Sequence, residues 1–469
     1  MAEYFAITGY GGYVPRYRLD RGEAAAATGD RGRGTRAVAA YDQDSAALGV
    51  EAAALALAGG EAPGSLWFAT TAPAYMDKTN ATVLHAATGL AADVGAFDLG
   101  ASVRSGAAAL RAASRDGGLA VLADVRDGPA GSTDERTGGD GAAAFSFAPG
   151  RALAEVLGTA GASAEFLDRW RLPGEQGSTT WEERFGQGEY ERLAAQAVDD
   201  VLKATGVPAA DVDAVAVAGP SVRAVKAVTT ALSRRTGGRA DTLDLLDLVG
   251  NAGAAHLGLA LADLLDRAAP GEILLVVSLA DGADAFLLRA GDALPGYRAD
   301  RAALRSSLAD PLPVGYPTYL LWRGRLERER PRRPDPVRPS APFAARNTAF
   351  KHGFVGGRCR ACDTVQFPLP RVCLRCRATD GFEEVSAAGG RATVVTVTVD
   401  RLAFTPSPPL VSAVLDLEAG GRVQCELTDV DPAAVAVGDT VQLTFRRLVT
   451  TEGIHNYFWK ARPVVAATV

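Results

Sequence analysis

The stretch CRACDTVQFPLPRVCLRC, residues 359–376, decides the fold of the C-terminal part of the chain. It holds two pairs, Cys359-Arg-Ala-Cys362 and Cys373-Leu-Arg-Cys376, separated by ten residues that include Pro368, Leu369 and Pro370. Each pair is spaced to form a knuckle presenting two thiolates, and a tight hairpin between them would bring the knuckles together. Four sulfurs in a tetrahedron are the donor set zinc favours, so the spacing predicts a zinc ribbon. Disulfides are the alternative, and a cytosolic chain with no other cysteine pairs argues against them. Four sulfur ligands leave no open coordination position, which makes the expected metal structural and not catalytic. All five cysteines lie beyond residue 358, the fifth being Cys425 in an apolar run where it reads as a small buried side chain. Residues 1–358 therefore contain no thiol.

Downstream of the cysteines, from about Phe382, five alternating runs follow: RATVVTVTV, PLVSAVLDLE, RVQCELTDV, TVQLTFRRLV and YFWKARPVV. Five strands with short turns fit a small closed barrel of the oligonucleotide/oligosaccharide-binding (OB) type. Upstream, residues 323–342 read RGRLERERPRRPDPVRPSAP, where repeated Pro blocks helix and central strand and favours an extended connector. Its seven arginines against three acids suit either contact with an anionic cofactor or a solvated linker. The predicted organisation is an α/β domain over 1–322, a Pro/Arg-rich linker over 323–345, the ribbon over 346–380 and the barrel over 381–469.

The first 290 residues alternate short β-type runs with Ala-rich helical stretches, the pattern of an α/β domain with buried sheets. Two halves overlay. LWFATT (66–71), DLGASVRSGAAALRAA (98–113), LAVLADV (119–125) and GGDGAAAFSF (138–147) make one series of strand, helix, strand and Gly-rich turn into strand. VDAVAVAG (212–219), LVGNAGAAHLGLALADLL (248–265) and ILLVVSLADGADAFLL (273–288) repeat it, which predicts an internal duplication. The helices beginning near residues 103 and 252 consist mostly of Ala, Gly, Ser and Leu, so they are expected to be packed on every side. Their N-termini would suit an anionic ligand or a developing oxyanion, or they are plain core helices.

At 469 residues, 48% hydrophobic and 22% charged, the chain has material for two or three domains with their own cores. A net charge of -6 with a pI near 5.5 argues against nucleic acid as the main partner. Beyond Phe404, Tyr457, Phe458 and Trp459 the barrel offers few aromatics for stacking bases. The N-terminus MAEYFAITGYGGYVP lacks a signal pattern, and no stretch approaches the roughly 18 apolar residues of a membrane span, so a soluble cytoplasmic protein without membrane partners is expected.

Further stretches carry a family likeness: ITGYGGYVPRYRL at the start, YDQDSAALGVEAA (41–53), MDKTNATVLHAATGL (76–90), WEERFG (181–186), GNAGAAHLG (250–258), SLADGADAF (278–286), YLLWRGRLERERPRRP, the cysteine stretch and GIHNYFWKARP. Together they resemble the hydroxymethylglutaryl-CoA synthase branch of the thiolase superfamily, fused to the zinc-ribbon/OB domain that often accompanies thiolase-like proteins. The resemblance implies a five-layer, duplicated αβαβα thiolase-type domain followed by a rubredoxin-like ribbon and an OB barrel. It also implies a homodimer, CoA thioesters as substrates, and a cysteine, a histidine and a glutamate as catalysts. Registering Gly106 on the family's glycine places Val103 at the cysteine; the histidine falls on Ala218, before Gly219 and Pro220, and the glutamate on Thr71. Asn251 keeps the asparagine of the family's Gly-Asn motif.

A valine cannot carry an acyl group and an alanine cannot move a proton, so the covalent mechanism is unavailable at these positions. A one-residue slip would put Ser102 at the helix start, as a nucleophile or as a capping hydroxyl. His85 and His256 are the histidines of this domain, and His256 follows the retained motif. Candidate catalytic residues are thus Asn251, Ser102 and His256, candidate ligand-binding residues Lys78, Asp281 and Gly282, and Tyr75 joins Lys78, Asp281 and His256 as a candidate base. Two functions are expected from this pattern. One is an atypical enzyme acting on acyl thioesters of CoA or carrier protein by aldol or Claisen-type chemistry, or by acyl transfer, without a cysteine-bound intermediate. The other is a pseudo-synthase that binds acyl-CoA and organises a partner thiolase.

Overall fold

Nine strands of the first unit form one sheet, and their order displays the duplication. The computed structural model describes residues 4–299, 301–329, 332, 338 and 340–464, which divide into two compact units. The first comprises residues up to Ala39, Asp44–Ala81 and Ala92–Tyr319, and the second Ala40–Gln43, Thr82–Ala91 and the chain from Leu320. In the first unit the strands are β1 (Ala6–Tyr13), β2 (Ser65–Ala69), β3 (Gly95–Leu99), β4 (Leu119–Val125), β5 (Asp140–Ala148), β6 (Ala154–Ser163), β7 (Ala214–Ala218), β8 (Ile273–Leu279) and β9 (Gly282–Ala290). Their order is β7-β8-β9-β6-β1-β5-β4-β2-β3. In one half β2 runs parallel to β4, which is antiparallel to β5, which is antiparallel to β1. In the other, β7 is parallel to β8, which is antiparallel to β9, which is antiparallel to β6. The halves join where Ile7 of β1 faces Ala154 of β6.

The helices stack this sheet into layers. Helix α1 (Ser45–Leu57) packs on β1, β4 and β5, and α2 (Ser105–Asp116) on β2 and β4. Helix α3 (Glu183–Thr205) covers β6 and β9, and α4 (Val222–Thr236) covers β7. Helix α5 (Ala254–Arg267) lies against α2 and touches strands of both halves, which is the middle layer of a five-layer αβαβα arrangement. Ala254 to Leu265 are all buried, as a helix without a polar stripe requires. A fully buried leucine such as Leu257 or Leu264 contributes roughly 1.5–3 kcal/mol of transfer free energy.

Both central helices start two residues later than their sequences suggest, at Ser105 and Ala254. The cause is local: Ala101 has φ 71° and Gly253 φ 55°, left-handed values that interrupt a right-handed helix. Strand β2 likewise stops at Ala69, because Thr70 and Thr71 bend to reach Asp124. In the Pro/Arg-rich segment, residues 330–331, 333–337 and 339 lie outside the described residues, and Ala341–Arg346 is a short helix capped by Ser340. Pro342 is compatible with that helix because it sits in the first turn, where its missing N–H would be unpaired anyway.

In the second unit the ribbon strands β10 (Val355–Cys359), β11 (Val365–Gln366) and β12 (Phe382–Ser386) precede a closed barrel. Its strands are β13 (Arg391–Asp400), β14 (Leu410–Leu417), β15 (Arg422–Leu427), β16 (Thr440–Thr451) and β17 (Ile454–Pro463), ordered β13-β14-β15-β17-β16. Successive side chains on a strand face opposite ways. Phe445, Tyr457 and Trp459 pack ring on ring, with centroids 5.4 Å apart for each pair made with Phe445. Their neighbours Arg446 and Lys460 point to the other face, yet both are buried. Residues 40–43, which precede α1 in sequence, account for that. Asp42 meets Arg446 at 3.1 Å and Lys460 at 2.9 Å, while Asp429 and Glu426 complete the network at 2.5 and 2.8 Å.

Burial alone would raise the Asp42 carboxyl, but Lys460 and Arg446 hold it below its ordinary value. Burial alone would lower Lys460, but Asp42, Tyr41 and Glu426 raise it. The Asp42 contribution to stability is therefore complete above about pH 4 and lost as pH falls through the depressed value. That of Lys460 is complete below about pH 10 and lost as pH rises through the elevated one. Asp42→Ala leaves two buried cations short of a partner and is expected to weaken the second unit by about 3–5 kcal/mol. Hydrogen exchange of amides 440–463 in the full chain measures this, and a loss under about 1 kcal/mol would show the network to be dispensable.

Candidate functional site

The four positions singled out in the first unit converge at the C-terminal ends of its parallel strands, where open α/β sheets place their ligands. Asp124, at the end of β4 and fully buried, ties Thr71 to the start of α5. Its carboxylate accepts from Thr70 Oγ1 (3.0 Å), Thr71 N (2.7 Å), Thr71 Oγ1 (2.9 Å) and Ala254 N (2.7 Å). The chain must come close here: a Cβ on Gly253 would lie 2.1 Å from Asp124 Oδ2. Asn251 fixes the next contact, donating from Nδ2 to Gly219 O (2.8 Å) and accepting from Gly253 N at Oδ1 (3.0 Å). Gly219 directly follows Ala218, so Thr71, Ala218 and Asn251 are held in one hydrogen-bonded frame. Val103 joins through α2, whose Gly106 approaches Ala254 O so closely that a Cβ would lie 2.5 Å away.

Val103 occupies the turn before α2, half-buried, and its carbonyl accepts from Gly106 N at 3.2 Å. Among the described residues its own N–H donates to no protein group. Ser102 Oγ accepts from Arg104 N at 3.2 Å within the turn, and α2 itself, with Arg104 at its N-cap, has no side-chain cap. Sequence reasoning missed Ser105, in the first turn of α2, whose buried Oγ has no hydrogen-bond partner. Arg104 leads away from Val103 to the β8–β9 turn, donating to Asp284 Oδ2 (2.8 Å) and Asp281 O (3.0 Å). Asp281 (φ 46°) and Gly282 (φ 144°) make that turn. Burial raises the Asp281 carboxyl, Arg104 offsets part of this, and Glu165 adds to it.

His256 lies inside α5, 2% exposed, where burial pushes it down to about 4 and leaves it neutral near pH 7. Its Nδ1 accepts from Ala252 N at a long 3.5 Å. Lys78 is exposed and donates to Thr79 O, Tyr75 N donates to Asn80 Oδ1, and His85 belongs to the second unit with its Nε2 2.9 Å from Ala91 O.

Around Thr71 the surroundings are cationic. Arg126 donates to Thr71 Oγ1 (2.9 Å) and to Asp134 Oδ1 (3.1 Å), and Arg171 donates to Thr71 O. Asp134 is shared with Arg169 and with Ser178 N, and although burial alone would raise it, Arg126 and Arg169 hold it at about 2. Asp124, Arg126 and Arg171 carry no signal as a motif. The only hint in the sequence is that an acid ends the apolar run LAVLADV.

In the ribbon the two knuckles have the same backbone. Cys359 O and Cys373 O accept from Asp363 N and Arg377 N, which have φ 60° and 64°. Cys359 N and Cys373 N donate to Thr364 O and Ala378 O. Sγ of Cys359 lies 3.6 Å from that of Cys376, and Sγ of Cys362 lies 3.6 Å from that of Cys373, with all four within 4.8 Å of one another. A zinc–sulfur bond of about 2.3 Å gives a tetrahedron edge of about 3.8 Å, so the four thiolates fit one zinc ion.

A duplicated five-layer domain with its site at the strand ends is a thiolase-type domain, here followed by a zinc ribbon and an OB barrel. Over 349 residues the chain is 30% identical to the hydroxymethylglutaryl-CoA synthase of Methanopyrus kandleri, covering 70% of this chain and 99% of that protein. The chain belongs to the hydroxymethylglutaryl-CoA synthase family. Residues 351–383 match the family described as "ChsH2, rubredoxin-like zinc ribbon domain", and residues 385–446 that described as "ChsH2, C-terminal OB-fold domain". A "DUF35 domain-containing scaffold protein" of Methanocaldococcus jannaschii is 32% identical over 124 residues, 25% of this chain and 87% of that protein. The solved structure of the HMG synthase of the curacin biosynthetic pathway in complex with a holo donor acyl carrier protein shares the fold. Its TM-score is 0.60 at 17% identity, over 68% of this chain and 88% of that one.

Cys373→Ser is expected to release the metal and unfold the ribbon while the first unit persists, read as zinc content near one per chain falling to near zero. Iron in the purified protein, or an intact ribbon without metal, would refute the assignment. Burial pushes the Cys425 thiol up to about 12, so iodoacetamide without denaturant should leave it unlabelled. Rapid labelling there would show an open β15.

Proposed function

We infer that the protein acts on acyl thioesters of CoA or of a carrier protein, making or breaking a C–C bond by aldol or Claisen-type chemistry without a cysteine-bound intermediate. One observation carries this. Asp124, Asn251 and Gly253 form a hydrogen-bonded frame that joins the strand ends, and the motif register of the sequence puts Val103, Ala218 and Thr71 at the family's cysteine, histidine and glutamate positions.

The residues present can still do part of the work. The unpaired Val103 N–H and the second N–H of Asn251 Nδ2 are donors suited to an enolate oxygen, which needs fixed dipoles and no nucleophile. Of the candidate bases, Asp281 is the one tied to the Val103 turn, through Arg104, and its raised carboxyl suits proton transfer better than an ordinary aspartate. His256, neutral and enclosed, would act only through Ala252 and the helix start. Zinc would stay structural. The protein would assemble as a homodimer, for which β3 offers the open edge of the sheet with Phe97 exposed. A cytoplasmic location belongs to the same proposal. No helix among the described residues is long and apolar enough to cross a membrane.

A second function, a pseudo-synthase organising a partner thiolase, has its own support: relatives of the ribbon and barrel bear the name scaffold protein. Incubation with acetyl-CoA or malonyl-CoA followed by proteolysis and mass spectrometry separates the cases. No cysteine-linked acyl group is expected in residues 1–358, and thioester binding with C–C bond exchange supports the noncovalent enzyme. Binding without turnover, together with faster turnover of an added thiolase, supports the pseudo-synthase. An acyl group on Ser102 or Lys78 would overturn both.

A further inference from the structure

The position of the family's glutamate has changed sign. Three guanidinium groups, Arg126, Arg169 and Arg171, gather around Thr71, and the carboxylates that interact with Arg171 are Asp124 and Asp134. Neither has capacity to spare. Asp124 is taken up by Thr70, Thr71 and Ala254, and Asp134 by Arg126, Arg169 and Ser178 N. Arg171 is half-buried and donates one Nη2 bond to Thr71 O, while its Nε and Nη1 have no hydrogen-bond partner among the described residues. Asp168 also faces Arg169, so what Arg171 lacks is partners for its N–H groups in a partly desolvated place, and an anion would supply them. The second N–H of Nη2, paired with Nε on one edge of the planar fork or with Nη1 on the other, matches a carboxylate.

We propose that Arg171, backed by Arg126 across Thr71, binds the distal carboxylate of the acyl chain, so that the substrate is the thioester of a dicarboxylic acid. This rests on the acyl-thioester function inferred above and adds the class of acyl group. The same donors would accept a phosphate of the CoA or pantetheine arm, and the two sources of oxyanion are separable. Thr71 then has a clear function, since a glutamate there would itself pair with Arg126 and Arg171 and exclude the substrate anion. The RWR segment places Trp170 beside Arg171, and Trp170 lies edge-on to Trp181 with centroids 6.3 Å apart, which provides a fluorescent reporter.

The test compares malonyl-, succinyl- and glutaryl-CoA with propionyl-, butyryl- and valeryl-CoA by calorimetry and tryptophan fluorescence on the full zinc-loaded chain. At least one diacyl thioester is expected to bind about tenfold or more tighter than the monoacyl thioester of equal length. Arg171→Gln should bring the pair to parity, and Arg171→Lys should retain part of the preference. Circular dichroism and melting temperature identify a variant that fails to fold, and the wild-type comparison stands without either variant. Equal binding of diacyl and monoacyl thioesters by the wild type overturns this proposal and leaves the acyl-thioester function standing. A loss of affinity in Arg171→Gln that is the same for both series assigns the anion to a phosphate and also overturns it. Failure of every thioester to bind overturns the proposal together with the function on which it rests.

Discussion

The Asp124 carboxylate is buried where water cannot reach it, so its charge must be met by donors from the protein. Four meet it, and they come from the end of β2 and the first turn of α5. The helix start is fixed by this contact, Gly253 is confined to a left-handed bend beneath it, and Asn251 is carried into line with the end of β7. The site of the first unit therefore does not depend on the residues that perform the family's chemistry. Thr71 contributes its backbone N–H and its hydroxyl to the frame, and Asn251 its side-chain amide.

The second unit has a comparable constraint of opposite design. Arg446 and Lys460 lie on the face of the barrel turned away from the Phe445–Tyr457–Trp459 layer, and Asp42 comes to them from a segment far earlier in the chain. A buried network of this kind gains little net stability over apolar packing, but breaking it leaves charges with no water and no partner. Its value lies in specifying which segment fits. It also means that two basic residues on barrel strands are matched internally by Asp42, Asp429 and Glu426.

Much of the architecture was legible beforehand. The Cys-x-x-Cys pairs predict the ribbon because metal ligation depends on local spacing, and each knuckle closes through bonds within six residues. The strands of the barrel follow from alternation, and the duplicated halves follow from repeated apolar runs, since burial of one face or both is written in the periodicity. The exact helix starts were not legible, because positive φ at Ala101 and Gly253 precedes them, and Gly253 lies against Asp124, far away in the chain.

The sequence by itself determined the ribbon, the barrel, the doubled domain and the absence of any thiol before residue 359, all properties of neighbouring residues or of composition. It also singled out Val103, Ala218, Thr71 and Asn251 as candidate positions, through motifs of fixed spacing. Tertiary structure alone decided what surrounds them. Asp124 lies 53 residues from Thr71 and 130 from Ala254, and Arg171 lies 100 from Thr71. Charges separated by such distances in the chain leave no periodicity or spacing to read, because their pairing depends on where each strand ends in three dimensions.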